Sequence, residues 1–279
     1  MRRFERVIFA SDIDGTFLAK TEEGRKRNRE AIAYFKSRGG KFTFSTGRNH
    51  RQVLDAVPQC AELVNFPAVT CNGACLYDFS RGEELRRYLL EYPAVRDLIV
   101  WLGEREPTVG VRGAGNDCFW FSSLDNPYIR KDYESMSAQR RRVAPIEEWR
   151  EAALYKLAVR AEESILAALR PAMTEAFRGR LEITQSDPTL IDVQQVGRTK
   201  AALLGELVRQ SGIEAPILCV AGDYDNDLEM LRMGDLALCP SNARECVASI
   251  CHRRFCHCDE GAVAEMIAYL DQKYEEGSL

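Results

Sequence analysis

The stretch Arg6-Val-Ile-Phe-Ala10-Ser-Asp12-Ile-Asp14-Gly15-Thr16 sets the reading of the whole chain. It joins a short apolar run to an acidic turn. Such a run, bounded by turn residues, fits a buried strand, and both aspartates then lie just past its carboxyl end. The pattern recurs three times. Lys41-Phe-Thr-Phe-Ser45 is followed by Thr46-Gly47-Arg48, and Ala68-Val-Thr-Cys71 by Asn72-Gly73. The run over 216–221 is followed by Gly222-Asp223-Tyr224-Asp225-Asn226-Asp227. Helical spacing is expected over 28–38, 49–57, 200–209 and 225–233, with a strand over 235–239 and a closing helix over 260–270. Short apolar strands alternating with amphipathic helices predict an α/β fold around a mostly parallel sheet.

The middle of the chain departs from this pattern. Helices are expected over 94–104 and 164–177, and strands over 108–111, 119–122, 154–160 and 181–184. Residues 79–188 therefore read as a second domain inserted into the first, which comprises 1–78 and 189–279. No internal repeat is visible. Phe119-Trp120-Phe121 suggests an aromatic specificity patch, but the simpler expectation is a core strand with both phenylalanines inward and Trp120 outward.

Composition removes whole classes of function. The 279 residues carry 38 Lys and Arg against 42 Asp and Glu, a net charge of −4, so nothing favours nucleic acid or an anionic membrane as partner. No apolar stretch approaches the roughly 20 residues that span a bilayer. The N-terminus lacks the apolar segment of a secretory signal, and with ten scattered cysteines the expectation is a cytoplasmic protein with reduced thiols. Cys251-His252-Arg-Arg-Phe-Cys256-His257-Cys258 invites a zinc reading. No second Cys-x-x-Cys or His-x-x-x-His pair lies at knuckle distance, so these residues are expected to be thiols in a strand and a loop.

In open α/β sheets, ligands bind outside the carboxyl ends of the strands. Taken singly, each strand end here is ordinary turn or cap chemistry. Together they bring carboxylates, a hydroxyl, an amide and an arginine to one edge. Two carboxylates about 4 Å apart repel by about 4 kcal/mol at an effective dielectric near 20. Gathering Asp12, Asp14 and Asp223 therefore calls for a hard divalent cation, and oxygen ligands point to Mg²⁺. An acidic metal cleft with a hydroxyl and basic groups beside it suits a phosphate ester.

Asp12-Ile-Asp14-Gly-Thr16, Thr46-Gly-Arg48, Asn72-Gly-Ala74, Lys200 and Gly222-Asp223-Tyr-Asp-Asn226-Asp227 resemble the haloacid dehalogenase-like phosphatases, in particular their Cof-type branch. Ser241-Asn242-Ala243 and Asp259-Glu260-Gly261-Ala262-Val263 resemble that branch's C-terminal pattern. Phe17 stands where the family usually has leucine, and Ala201 where glycine is common. The resemblance implies a Rossmann-like parallel-sheet core with an inserted α+β cap of type C2 that closes over the cleft and sets substrate choice.

It further implies an Mg²⁺-dependent phosphatase acting on a small phosphomonoester, a sugar phosphate or a phosphorylated cofactor. Asp12 would be the nucleophile forming an aspartyl-phosphate, and Asp14 the acid and base. Thr46 and Lys200 would complete the catalytic set by binding the transferring phosphoryl. Asp12, Asp14 (through its carbonyl), Asp223 and Asp227 would hold or surround the metal. Thr46, Gly47, Arg48, Asn72, Lys200 and Asn226 would line the substrate pocket. For Lys200, the alternative is a solvated lysine at a helix start. A phosphomutase or phosphotransferase using the same intermediate, or a phospholigand sensor without turnover, are the other readings.

Overall fold

In the computed structural model, which describes residues 2–278, the opening apolar run is β1 (Val7–Ser11), and every residue in it is buried. A strand apolar on both faces belongs inside a covered sheet. After it come α1 (Glu22–Ser37), β2 (Lys41–Phe44), α2 (His50–Ala56), α3 (Cys60–Leu63), β3 (Ala68–Thr70), β4 (Cys75–Asp78) and β5 (Glu83–Arg87). Helix α1 starts six residues earlier than expected. Thr21 caps it by accepting from the Gly24 amide, and its first turns are polar, so apolar periodicity alone misses them.

The next stretch is α4 (Tyr92–Arg105), β6 (Gly110–Gly115), β7 (Phe119–Phe121), α5 (Pro127–Glu134), β8 (Arg141–Val143), β9 (Leu154–Arg160), α6 (Glu163–Ala176), β10 (Leu181–Asp187) and β11 (Leu190–Gln195). The chain closes with α7 (Lys200–Arg209), β12 (Ile217–Ala221), α8 (Leu228–Met233), β13 (Leu236–Cys239), α9 (Glu245–Ala248), β14 (Arg253–Arg254) and α10 (Ala262–Glu275). Helix α10 begins after Gly261, whose φ of 90° suits glycine and stops the preceding turn.

Two compact units emerge, Met1–Arg86 with Thr199–Leu279, and Arg87–Arg198. The sequence reading breaks the chain after 78 and 188 instead. Strand β4 pairs β3 within the first unit, and β11 pairs both β10 and β9 within the second. Pro188 therefore sits at a hairpin tip rather than at a domain border.

In the first unit the main sheet runs β14-β13-β12-β1-β2, with every pair parallel. β1 is an interior strand between β12 and β2, aligning Ser11 with Ala221 on one side and Phe44 on the other. β3 belongs instead to a small β3-β4-β5 sheet, joined to the main one by a parallel bridge between Ser45 and Val69. That bridge keeps the end of β3 beside the ends of β1 and β2. Phe9, Phe35, Phe42 and Phe44 pack edge to face in the interior, each fully buried, and contribute about 1.5–3 kcal/mol apiece.

The second unit is a six-stranded sheet, β10-β11-β9-β6-β7-β8. One face packs on α4 and α6 through Leu98, Leu102, Leu157, Val159, Leu166 and Met173. Side chains alternate along β9, so Lys156 points to the other face, where its Nζ donates to Asp192 Oδ1 at 2.7 Å. Phe119 and Phe121 are buried as expected, and Trp120 lies on the opposite face, partly buried, its ring centroid 6.4 Å from that of Trp149.

Candidate active site

Parallel strands ending in register deliver their first loop residues to one edge, and the first unit uses that edge four times. At the end of β1, the Asp12 amide donates to Ala221 O at 2.9 Å, fixing it beside the end of β12. The turn over 13–17 then needs Gly15, at φ 75°, and a Cβ there would lie 2.3 Å from Asp223 Oδ2. Glycine is required both for its left-handed backbone and for this close approach.

At the end of β12, Gly222 makes room for Asp227, and its own Cβ would meet that side chain at 2.5 Å. Past β3, Cys71, Asn72 and Gly73 have φ of 53°, 55° and 100°. Two consecutive non-glycine residues in that region are costly and persist where the surroundings hold them. Here the Cys71 amide donates to Arg48 O and the Asn72 amide to Thr46 O, both at 2.9 Å.

The centre of the edge is an acidic cluster. Carboxylate oxygens of Asp12, Asp223 and Asp227 lie within 4.8 Å of one another. Lys200, the first residue of α7 and only 1% exposed, donates from Nζ to Asp12 Oδ1 and Asp227 Oδ1, both at 2.7 Å. It is therefore not a solvated lysine. Asp227 is fully buried, and its Oδ2 accepts the Asp223 and Tyr224 amides at 3.0 and 3.2 Å. With both oxygens engaged, Asp227 holds the loop and the lysine in place. Thr16 Oγ1 donates to Asp223 Oδ1 at 2.7 Å.

Burial pushes the Asp12 carboxyl well above the usual carboxylate range, against the pull of Lys200 and with added repulsion from Asp227 and Asp223. Burial and Asp227 push Asp223 up to about 7. Burial alone would lower Lys200, but Asp12 and Asp227 outweigh it and hold the ammonium above its ordinary value. One cation against three clustered carboxylates, two of them buried, leaves uncompensated negative charge. A second, hard cation is what this all-oxygen donor set fits.

The remaining candidates fall into two groups. Asp14 does not join the acidic cluster through its side chain. Its carboxylate, about half exposed, is gripped by Arg48, with Nε to Oδ2 at 2.7 Å and Nη2 to Oδ1 at 2.6 Å. This two-pronged pairing orients the carboxylate more firmly than a lysine would. Thr46 is buried, and its Oγ1 accepts the Arg48 amide at 3.2 Å. Asn226 Nδ2 donates to Asn72 Oδ1 at 3.2 Å, and Gly47 lies against the same Asn72 amide. Thr46, Gly47, Arg48, Asn72 and Asn226 thus form a connected border around the cluster.

Two contributors had no role assigned from sequence. Thr16 orients Asp223, and Asn242 Nδ2 donates to Gly15 O at 2.7 Å, bracing the turn that follows Asp12. Both lie inside stretches already noted, Asp-Ile-Asp-Gly-Thr and Ser-Asn-Ala, but no spacing rule names their partners.

A family model described as haloacid dehalogenase-like hydrolase matches residues 9–267. The chain belongs to the haloacid dehalogenase-like hydrolases. It is 26% identical over 244 residues to the 5-amino-6-(5-phospho-D-ribitylamino)uracil phosphatase YcsE of Bacillus subtilis, covering 86% of each chain. It is also 26% identical over 228 residues to the HMP-PP phosphatase of Escherichia coli O81, covering 80% of each. Among solved structures, SMU.1108c of Streptococcus mutans superposes with a TM-score of 0.83 at 22% identity, over 95% of this chain and 98% of that one. A HAD/Cof-like hydrolase of Plasmodium vivax gives 0.82 at 20% identity, over 97% and 96%. As in those folds, a parallel-sheet core carries an inserted α+β cap.

Proposed function

We propose that this hydrolase is an Mg²⁺-dependent phosphatase that releases phosphate from a small phosphomonoester through an aspartyl-phosphate on Asp12. The observation that carries this reading is Asp12 itself, buried at a strand end beside Lys200 and in reach of Asp223. The first unit is the catalytic one and the second is the inserted cap. The relatives' names, one a ribitylaminouracil phosphatase and one an HMP-PP phosphatase, favour a phosphorylated cofactor-like metabolite as substrate.

Asp12 and Asp223 are the carboxylates that would hold Mg²⁺, which supplies positive charge to the nucleophile and to the phosphoryl oxygens. Asp12 attacks phosphorus and keeps the phosphoryl group while the alcohol departs. Lys200 holds the Asp12 carboxylate in a fixed orientation and offers its ammonium to charge developing on the phosphoryl oxygens. In its protonated form Asp14 gives a proton to the departing oxygen, and the carboxylate this leaves, held at the border by Arg48, then takes one from the attacking water. Thr46, Asn72 and Asn226 supply hydroxyl and amide groups to the phosphate.

Phosphate release from a panel of phosphorylated cofactors and sugar phosphates tests this reading. Turnover should require Mg²⁺ and vanish with chelator. Protons compete with the cation for Asp223, whose carboxyl burial and Asp227 push up to about 7, so more Mg²⁺ should be needed for half-maximal rate as the pH falls. Mg²⁺-independent turnover, or none on any ester, would overturn the proposal. Conversion of a phosphosugar into its isomer without free phosphate would identify a mutase instead.

A further inference from the structure

The two faces of the second unit's sheet differ in kind. Val111, Leu157, Val159, Ile191 and Val193 belong to the apolar face that packs on α4 and α6. Side chains alternate along each strand, so Arg112, Lys156, Ala158, Asp192 and Gln194 point to the other face. Strand register brings them together. Gln194 is the cross-strand partner of Lys156, and Ala158 stands between Asp192 on β11 and Arg112 on β6. None of these residues is more than 5% exposed.

Most of this polar set is satisfied from within the unit. Lys156 Nζ donates to Asp192 Oδ1 and Ser186 Oγ to Asp192 Oδ2, both at 2.7 Å. Arg112 Nε donates to Asp132 Oδ2 at 2.7 Å. Gln194 is the exception. It is fully buried, yet neither its Oε1 nor its Nε2 has a hydrogen-bond partner among the described residues, and Arg112 Nη1 likewise has none. Burying an amide with both functions unmet works against folding, and leucine would fill the same space without that cost. Gln194 and Arg112 therefore hold an acceptor and two kinds of donor ready for a group that arrives after folding.

A side-chain amide presents its acceptor and its donor side by side in one plane. The complementary group is a ring edge with an N–H next to an acceptor, the arrangement through which glutamine reads nucleobases with two parallel hydrogen bonds. A single hydroxyl cannot make both bonds at good geometry, and an ionised phosphate offers acceptors only. We propose that Gln194, together with Arg112, binds a planar nitrogen heterocycle with a lactam or imide edge, and that this ring is the non-phosphate part of the substrate. The ring edge pairs with the Gln194 amide, and a further carbonyl accepts from Arg112 Nη1. Ala158, the smallest side chain of the set, leaves space for a flat ring between them. The inference rests on the phosphatase reading above and narrows its substrate class to phosphate esters of ring-bearing compounds rather than simple sugar phosphates.

Uridine 5′-phosphate and ribose 5-phosphate share the phosphorylated sugar and differ in the ring, so the ratio of their kcat/KM values isolates what the ring contributes. In the wild-type protein with Mg²⁺ that ratio should exceed about tenfold. N3-methyluridine 5′-phosphate, whose ring nitrogen no longer donates, should lose most of the advantage. Gln194→Leu should bring the ratio close to one, chiefly through KM, while its urea midpoint without ligand equals or exceeds that of the wild type. Uridine itself should bind the wild-type chain in calorimetry and compete with uridine 5′-phosphate. Equal efficiency on the two esters in the wild type, or a ratio that Gln194→Leu leaves unchanged, overturns the inference and leaves the phosphatase reading in place. No phosphate from either ester, with uridine bound by the wild type and not by Gln194→Leu, overturns the phosphatase reading instead. Absence of uridine binding to the wild type overturns the inference in either case. If Gln194→Leu misfolds, the methylated ester on the wild-type protein decides the question.

Discussion

Asp12→Asn is expected to reduce phosphate release by about 10⁴-fold or more while leaving the protein at least as stable as the wild type. The two halves of this expectation come from the same geometry. An amide does not attack phosphorus, so the intermediate never forms and no other residue in the cluster replaces the lost nucleophile. Yet Asp12 is one of two carboxylates sharing a single ammonium, and burial favours its uncharged form. Asparagine has nearly the same shape without the charge, and Lys200 keeps Asp227 as its partner. In Mg²⁺-free buffer the urea midpoint of Asp12→Asn should therefore equal or exceed that of the wild type. Undiminished Mg²⁺-dependent turnover in the folded variant would remove Asp12 from the nucleophile's role.

Lys200→Ala should act in the opposite sense on stability. It removes the cation between Asp12 and Asp227 and leaves both carboxylates buried without their shared donor. Breaking a buried pair from one side costs about 3–5 kcal/mol, a large fraction of a typical domain's stability. Chemical denaturation in Mg²⁺-free buffer should report that loss, and phosphate release should fall with it. Because Asp12→Asn removes one of the two stranded charges, adding it to Lys200→Ala should recover part of the stability but none of the activity. Simple additivity of the two changes would show that the three side chains are not coupled.

The parts of this site that could be read in the sequence are those tied to strand ends. Asp12, Thr46, Asn72 and Asp223 each follow an apolar run, and parallel register brings such ends together whatever lies between them. Lys200 enters the sequence reading only through the family resemblance, because its role depends on contacts at 2.7 Å with residues 188 and 27 positions away. The Asp14–Arg48 pair likewise joins two loops that sequence places in one neighbourhood without saying which groups touch. Pro188 shows a different limit. The turn residues Asp187, Pro188 and Thr189 look the same at a domain border and at a hairpin tip, and only the pairing of β10 with β11 distinguishes them. Strand β5 is hidden for a different reason, since it reads Glu-Glu-Leu-Arg-Arg and lies half in solvent, with no apolar run to mark it.

The central claim, that Asp12 carries the phosphoryl group, is tested most directly by trapping the intermediate. Asp14→Asn removes the group that activates water, whereas p-nitrophenyl phosphate has a leaving group that departs without a proton from the enzyme. Mixed with that ester and Mg²⁺, Asp14→Asn should release one p-nitrophenol per site in a burst. After acid quench, peptide mapping should then place a phosphoryl group on Asp12. A burst with the label on another residue, or steady turnover with no labelled peptide, would contradict the account.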